Sequence, residues 1–218
     1  MSNVFIIGGA GKIGRRLAKT LVSDGHTARP LYRQPQQEAE LRQTGANPVE
    51  GDLVSLDSQA LAALMQGSDT VVFTAGAGGK GGEAMTNAID GEGAVKAIAA
   101  ARQAGIHRFV MVSAFPEAGR SKNLSDTFEN YMRVKKMADV ALASSPLDWV
   151  ILRPATLTDE AGSGSVHAGL AIPYGNVTRD DVAAALAAII SQPAVSRVII
   201  ELTEGETPVD QAIAQFAR

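Results

Sequence analysis

The chain reads as an α/β protein, a doubly wound Rossmann fold with a mostly parallel central sheet and a minimal C-terminal substrate lobe. Three observations point there. Short β-rich apolar runs alternate with helix-period segments from end to end, the pattern of βαβ crossovers. The first run, Val4–Ile7, passes directly into a glycine turn and then an amphipathic helix. Glycine is also in surplus, with 22 in 218 residues against a usual share of about 7%. More than half of these glycines follow predicted strand ends.

Taken in order, Val4–Ile7 is a four-residue apolar run suited to a strand buried on both faces. Ile13, Leu17 and Leu21 recur at helical spacing, so Lys12–Ser23 is a helix stopped by Asp24-Gly25. Thr27–Arg33 is a second strand, weakened by Pro30, which lacks a ladder donor. Gln36–Thr44 is helical, a short strand surrounds Pro48–Glu50, and Asp57 or Ser58 caps a helix carrying Leu61, Leu64 and Met65. Thr70–Thr74 is the fourth strand, followed by a glycine-rich loop and an Ala-rich helix over about Asp90–Ala104. Arg108–Ser113, Trp149–Arg153 and Val198–Leu202 are further strands. Tyr131–Ser144, Arg179–Ser191 and Pro208–Phe216 are helices, the last with proline in its first turn. Residues 154–178 are expected to be a substrate-side loop or lid, since Thr156–Gly175 has no strong helix or strand pattern.

Composition narrows the function classes. The length suits one domain over residues 1–218. With 20 Lys+Arg against 23 Asp+Glu, the net charge of −3 is too small and too mixed for a nucleic-acid or anionic-membrane surface. Hydrophobic residues at 45% suit a globular core. Zero cysteines exclude disulfides, thiolate nucleophiles and cysteine metal sites, and three scattered histidines argue against zinc. No apolar run reaches the roughly 18–20 residues of a membrane span, and the N-terminus lacks a signal-peptide pattern. A cytoplasmic protein is expected, acting on a small molecule as a monomer or homodimer.

The sharpest motif is Gly8-Gly9-Ala10-Gly11-Lys12-Ile13-Gly14, between a strand and a helix. In a dinucleotide fingerprint the first glycine (Gly8) permits the tight turn, the second (Gly11) lets backbone approach a pyrophosphate, and the third (Gly14) lets helix and strand pack closely. Amides around Lys12 and Ile13 then face the anion along the helix dipole. An ordinary tight turn would carry the same glycines. A Walker A loop is excluded, because no Lys-Ser/Thr pair closes the run.

An NAD site usually places an acid about 20 residues on, to hold the ribose 2′-hydroxyl. Here Arg33 ends the second strand and Arg29 precedes it, with no acid at that corner. A guanidinium matches a 2′-phosphate bidentately, which favours NADP(H) over NAD(H). A solvated arginine at a strand end is the alternative. Asp52 in Gly51-Asp52-Leu53 equally suits an Asx turn.

Tyr131 and Lys135 form a Tyr-x-x-x-Lys pair, on one helix face at i and i+4. A tyrosine of pKa ≈ 10 is a poor acid or base at neutral pH, and a neighbouring ammonium would lower it toward the working range. Ser113 ends the fifth strand at the sheet edge where open α/β folds bind ligands. A serine there can equally satisfy the strand's last backbone group.

The Gly-x-x-Gly-x-x-Gly spacing, with the Tyr-Lys pair downstream, resembles the short-chain dehydrogenase/reductase superfamily in its extended and atypical branches. The compact length is similar to NmrA-like and flavin/biliverdin reductase-like members. The resemblance implies that Asp52 and Leu53 flank the adenine, and that Ala75 and Gly76 run along the ribose and pyrophosphate. It implies further that Lys135 hydrogen-bonds the nicotinamide ribose, Pro154 lies against the nicotinamide end, and Ser113 orients a substrate carbonyl. Many members carry two serines where this chain has Ser113-Ala114. Asp90 in AIDGEG resembles the acid that opens a helix in the NmrA-like and flavin-reductase-like groups, and is read as a helix N-cap. The implied activity is NADPH-dependent hydride transfer to a small carbonyl, quinone or flavin-like acceptor. A non-catalytic redox sensor is the alternative, and a sugar-nucleotide epimerase the third reading.

Overall fold

The computed structural model describes residues 1–119 and 125–218. The apolar runs and helical stretches alternate as β1 (Asn3–Ile7), α1 (Lys12–Ser23), β2 (Thr27–Tyr32), α2 (Gln36–Gln43), β3 (Val49–Glu50), α3 (Ser58–Met65) and β4 (Thr70–Phe73). Next come α4 (Gly82–Thr86), a π-helical stretch (Asn87–Glu92), α5 (Gly93–Gln103), β5 (Arg108–Val112), α6 (Asp126–Ala143) and β6 (Asp148–Pro154). The chain then forms β7 (Thr156–Thr158), β8 (Ser165–Gly169), β9 (Asn176–Thr178), α7 (Arg179–Ser191), β10 (Val198–Glu204), β11 (Thr207–Pro208) and α8 (Val209–Ala214).

Nine of these strands build one sheet in the order β11-β8-β10-β6-β5-β4-β1-β2-β3, and β7 and β9 form a separate pair. Every pairing from β3 across to β10 is parallel, whereas β8 runs antiparallel to β10 and to β11. The strand order reverses between β1 and β4, so a crevice opens at their C-terminal ends, where doubly wound folds take ligands. This is the predicted Rossmann architecture with a small additional C-terminal edge.

The period-two alternation of each strand divides the core. Val4, Ile6, Val72, Val110, Val150 and Leu152 pack against α1, α7 and α8. Phe5, Ile7, Val71, Phe73, Phe109 and Met111 pack against α3, α5 and α6. With β4 and β5 buried along their whole length, removing a ring such as Phe109 would cost about 3–5 kcal/mol. Pro30 is tolerated inside β2 for a local reason. Ala28 O accepts from Asn47 N and Tyr32 O from Gly51 N, so Pro30, in phase with both, turns its missing donor toward the two-residue strand β3.

Four expectations need correction. The substrate-side segment, expected to be a loop, carries strands: β8 zips onto β10, pairing Ala168 with Leu202, and β7 pairs with β9. The Ala-rich helix begins well before Asp90, because α4, the π-helical stretch and α5 follow one another without a break. Helix α6 starts five residues before Tyr131, where Ser125 Oγ caps it by accepting from Phe128 N. Pro208 stands just before α8 as its N-cap rather than inside the first turn. Among the described residues, no helix is long and apolar enough to cross a membrane, and no cluster of potential metal ligands occurs.

Candidate functional site

Strand β1 delivers the glycine turn to the crevice. Gly8 has φ +82°, and a Cβ there would lie 2.6 Å from Ala75 N, so the turn presses directly on the end of β4. A Cβ on Gly14 would lie 2.4 Å from Gly8 O, so this glycine sets how closely α1 folds back on the turn. Gly14 lines neither of the two cavities at this edge and works through packing. Gly11 is the N-cap of α1 and supplies no side-chain oxygen. The first helical amides are therefore left to an outside acceptor.

Two adjoining cavities share Gly11, Ala75 and Gly76. The smaller, about 240 Å³, lies toward β2 and β3 and is lined by Gly8, Arg33, Asp52 and Leu53 among others. Arg33 is exposed, and its guanidinium makes no hydrogen bond or ion pair among the described residues. Arg29 is committed elsewhere, donating to Leu64 O, Gln66 O and Ser68 Oγ around the end of α3. Asp52 Oδ1 accepts from Val54 N at 3.0 Å, so the Asx turn forms while the residue still faces the cavity.

The larger cavity, about 730 Å³, brings Lys12 and Ile13 of the phosphate turn together with Ser113, Tyr131, Lys135 and Pro154. Tyr131 and Lys135 sit one turn apart on α6, and Ser113 follows β5. Ser113 Oγ is shielded from solvent and has no hydrogen-bond partner among the described residues. Leaving such a group unpaired costs about 1–3 kcal/mol, which favours turning the hydroxyl toward an oxygen in the cavity that Ser113 lines. Phe115 and Tyr174 meet edge to face at 5.2 Å between ring centres, and Phe128 lies 5.9 Å from Tyr131. These rings give the cavity an apolar wall.

The electrostatics differ from the expectation drawn from the Tyr-Lys spacing. Lys135 is buried and donates to Val112 O at 2.9 Å, with Asp90 Oδ1 at 3.7 Å. Burial pushes the Lys135 ammonium down, while Asp90 and Asp139 oppose that shift. Tyr131 is not drawn toward phenolate: burial raises its pKa above the ordinary value, and Asp90, Asp139 and Tyr174 raise it further. Asp90 is also not a helix N-cap. It sits inside the π-helical stretch, 2% exposed, where Oδ2 accepts from Ala77 N at 2.9 Å. Its carboxylate thereby pins the glycine-rich loop after β4 to Lys135.

Arg153 turns away from the cavity and forks onto Asp139, leaving Pro154 as the lining residue of that pair. Arg179, Phe115, Phe128, Asp159 and Tyr174 belong to no motif that marks them in the sequence. Arg179 follows the capping residue Thr178 and precedes two acids, so locally it reads as a plain helix start.

The comparisons agree with this geometry. A family model described as NAD(P)H-binding matches residues 8–193. The chain is 39% identical over 215 residues to YhfK of Bacillus subtilis, named an uncharacterized sugar epimerase, covering 98% of this chain and 99% of that protein. A solved Bacillus halodurans structure, assigned by name to the NAD-dependent epimerase/dehydratases, superposes with TM-score 0.91 at 31% identity, covering 99% of this chain and 100% of the other. ChuY from Escherichia coli O157:H7, titled an anaerobillin reductase, matches with TM-score 0.78 at 26% identity over 94% of this chain and 98% of its own. With the phosphate turn at the sheet's switch point and the Tyr-Lys pair across the same cavity, the chain belongs to the NAD(P)H-binding family whose model spans most of its length, on a Rossmann fold.

Proposed function

We propose that the chain is an NADPH-dependent oxidoreductase that delivers hydride to a small carbonyl, quinone or flavin-like acceptor, within one domain spanning residues 1–218. The observation carrying this reading is that one cavity joins the phosphate turn to Ser113, Tyr131 and Lys135. The residues fit a dinucleotide. The uncapped start of α1 would hold the pyrophosphate, with Gly8 and Gly11 keeping the approach open. Asp52 and Leu53 would flank the adenine, Ala75 and Gly76 the sugar–phosphate, and Pro154 the nicotinamide end. The unengaged Arg33 guanidinium would take a 2′-phosphate, which favours NADP(H) over NAD(H).

When bound, the reduced nicotinamide supplies the hydride, and the remaining work falls to this chain. Tyr131 donates its phenolic proton to the acceptor oxygen as negative charge develops there, a contribution of about 10²–10⁴-fold. The raised pKa keeps that proton in place at neutral pH, in keeping with reduction. Ser113 Oγ gains its missing partner by hydrogen-bonding the same oxygen. Lys135, held by Val112 O and Asp90, fixes the ribose and steadies the phenolate left on Tyr131. Phe115 and Phe128 exclude water.

The names of two relatives favour a second reading, an epimerase. That chemistry starts from a resting phenolate that takes a hydroxyl proton, whereas reduction starts from the phenol that desolvation, Asp90 and Asp139 favour at Tyr131. An acceptor panel of aldehydes, ketones, quinones and flavins, followed by NADPH consumption, separates the readings. Turnover with one class supports the reductase. Tight NADPH binding without consumption would leave a redox sensor, and sugar-nucleotide interconversion without net consumption would establish the epimerase.

A further inference from the structure

One edge of the large cavity carries charge that the reductase chemistry leaves unused. Lys12, in the first turn of α1, and Arg179, in the first turn of α7, both line it. A single carboxylate engages both. Asp159 Oδ2 accepts from Lys12 Nζ at 2.5 Å, and Asp159 Oδ1 accepts from Arg179 Nη1 at 2.9 Å.

The three partners are not equally fixed. Thr178 Oγ1 caps α7 by accepting from Asp181 N, so the backbone under Arg179 is set. Asp180 Oδ2 accepts from Gly162 N, and Asp181 accepts from Ser163 N and Gly164 N, which pins that segment to α7. Asp180 is also tied to α1 through Arg16 Nε at 2.5 Å. The Asp159 side chain, by contrast, is 49% exposed and among the described residues bonds only the two cations, while the Arg179 side chain is 21% exposed. It can therefore turn to solvent without disturbing the backbone.

Lys135, the deeper cation of the cavity, already has Val112 O and Asp90. An acidic group on a ligand would thus find its partner at Arg179 and Lys12. Exchanging one carboxylate for another across a guanidinium fork preserves the charge-assisted pair, so exchange is electrostatically close to balanced.

Resting on the reductase reading, we propose that Arg179 is a specificity-determining residue that recognises a carboxylate on the acceptor, with Asp159 as the resident counter-ion displaced on binding. The acceptor class is then a carbonyl or quinone compound with an apolar body and a carboxylate. The body lies along Phe115, Phe128 and Tyr174, and the acid group reaches the α7 edge.

The test is equilibrium binding of phenylglyoxylate and of its methyl ester to the NADP⁺-loaded protein, measured calorimetrically. The acid should bind more tightly than the ester. Arg179→Leu should weaken the acid by about tenfold or more, equivalent to about 1.4 kcal/mol, and leave the ester unchanged, with Arg179→Lys intermediate. Asp159→Asn should tighten the acid several-fold and leave the ester unchanged, since a competitor has been removed.

Equal binding of acid and ester by the wild type, or equal losses for both in Arg179→Leu, would overturn the proposal. So would a loss of NADP⁺ affinity in Arg179→Leu, which would assign the arginine to the cofactor's own phosphates. If Arg179→Leu fails to fold, Arg179→Lys and Asp159→Asn carry the same comparison. The readout does not need turnover, so a protein that reduces no acceptor fails the reductase reading separately.

Discussion

Asp90→Asn isolates the charge that holds the centre of the site. Asp90 Oδ1 is 3.7 Å from Lys135 Nζ, with side chains 3% and 5% exposed. The amide keeps an oxygen for Ala77 N, and Lys135 keeps Val112 O, so the substitution removes little besides the counter-charge. Taking one partner from a buried pair costs about 3–5 kcal/mol. Burial already pushes Lys135 down and Asp90 opposes that shift, so the variant's lysine loses its proton still more readily. The unfolded chain keeps that proton up to the ordinary lysine value of 10.5. Between the depressed folded value and 10.5 the unfolded state therefore binds more protons, and stability rises with pH. Urea unfolding followed by the fluorescence of Trp149, the single tryptophan, should show a deficit that shrinks toward alkaline pH. The double variant Asp90→Asn/Lys135→Met, which keeps an acceptor for Ala77 N and removes the unpaired charge, should recover part of the loss. A single-variant deficit below about 0.5 kcal/mol, or one that grows with pH, would refute the buried-pair account.

Other substitutions test the two ends of the cavity. Arg33→Ala should weaken NADPH by about tenfold or more, as expected for a charge-assisted contact worth about 1.5–3 kcal/mol, and leave NADH nearly unchanged by fluorescence titration. Equal losses would remove the 2′-phosphate assignment. Gly14→Ala should destabilise the fold and abolish NADPH binding together, because its Cβ would lie 2.4 Å from Gly8 O. Thermal unfolding with and without NADPH checks this, and an unaltered NADPH-induced stabilisation would contradict it.

The parts of the fold legible in the sequence are those governed locally. The run Val4–Ile7, the glycine turn and the helix Lys12–Ser23 are fixed by hydrophobic period and turn chemistry, and the structure places β1 and α1 there. Strand β8 escaped because Ser165–Gly169 is short and weakly apolar, and becomes a strand only by pairing with β10, some 35 positions on. The same holds within the site. Ser113, Tyr131 and Lys135 announce themselves by type and spacing, but the field around them does not. Asp90 reads as a helix-opening acid until Lys135, distant in sequence, is packed against it. The Tyr-Lys spacing therefore suggested an activated phenol, whereas burial and two carboxylates hold the proton on Tyr131. Asp159 and Arg179 form a pair visible only once β7 and α7 are assembled.

The central claim is that Tyr131 donates the proton that accompanies hydride transfer in the cavity shared with the phosphate turn. Its most direct test compares wild type with Tyr131→Phe on an acceptor that the panel identifies, measuring kcat and the NADPH dissociation constant together. The account expects kcat to fall by about 10²-fold or more while NADPH affinity stays within about twofold. An unchanged kcat in Tyr131→Phe would contradict it.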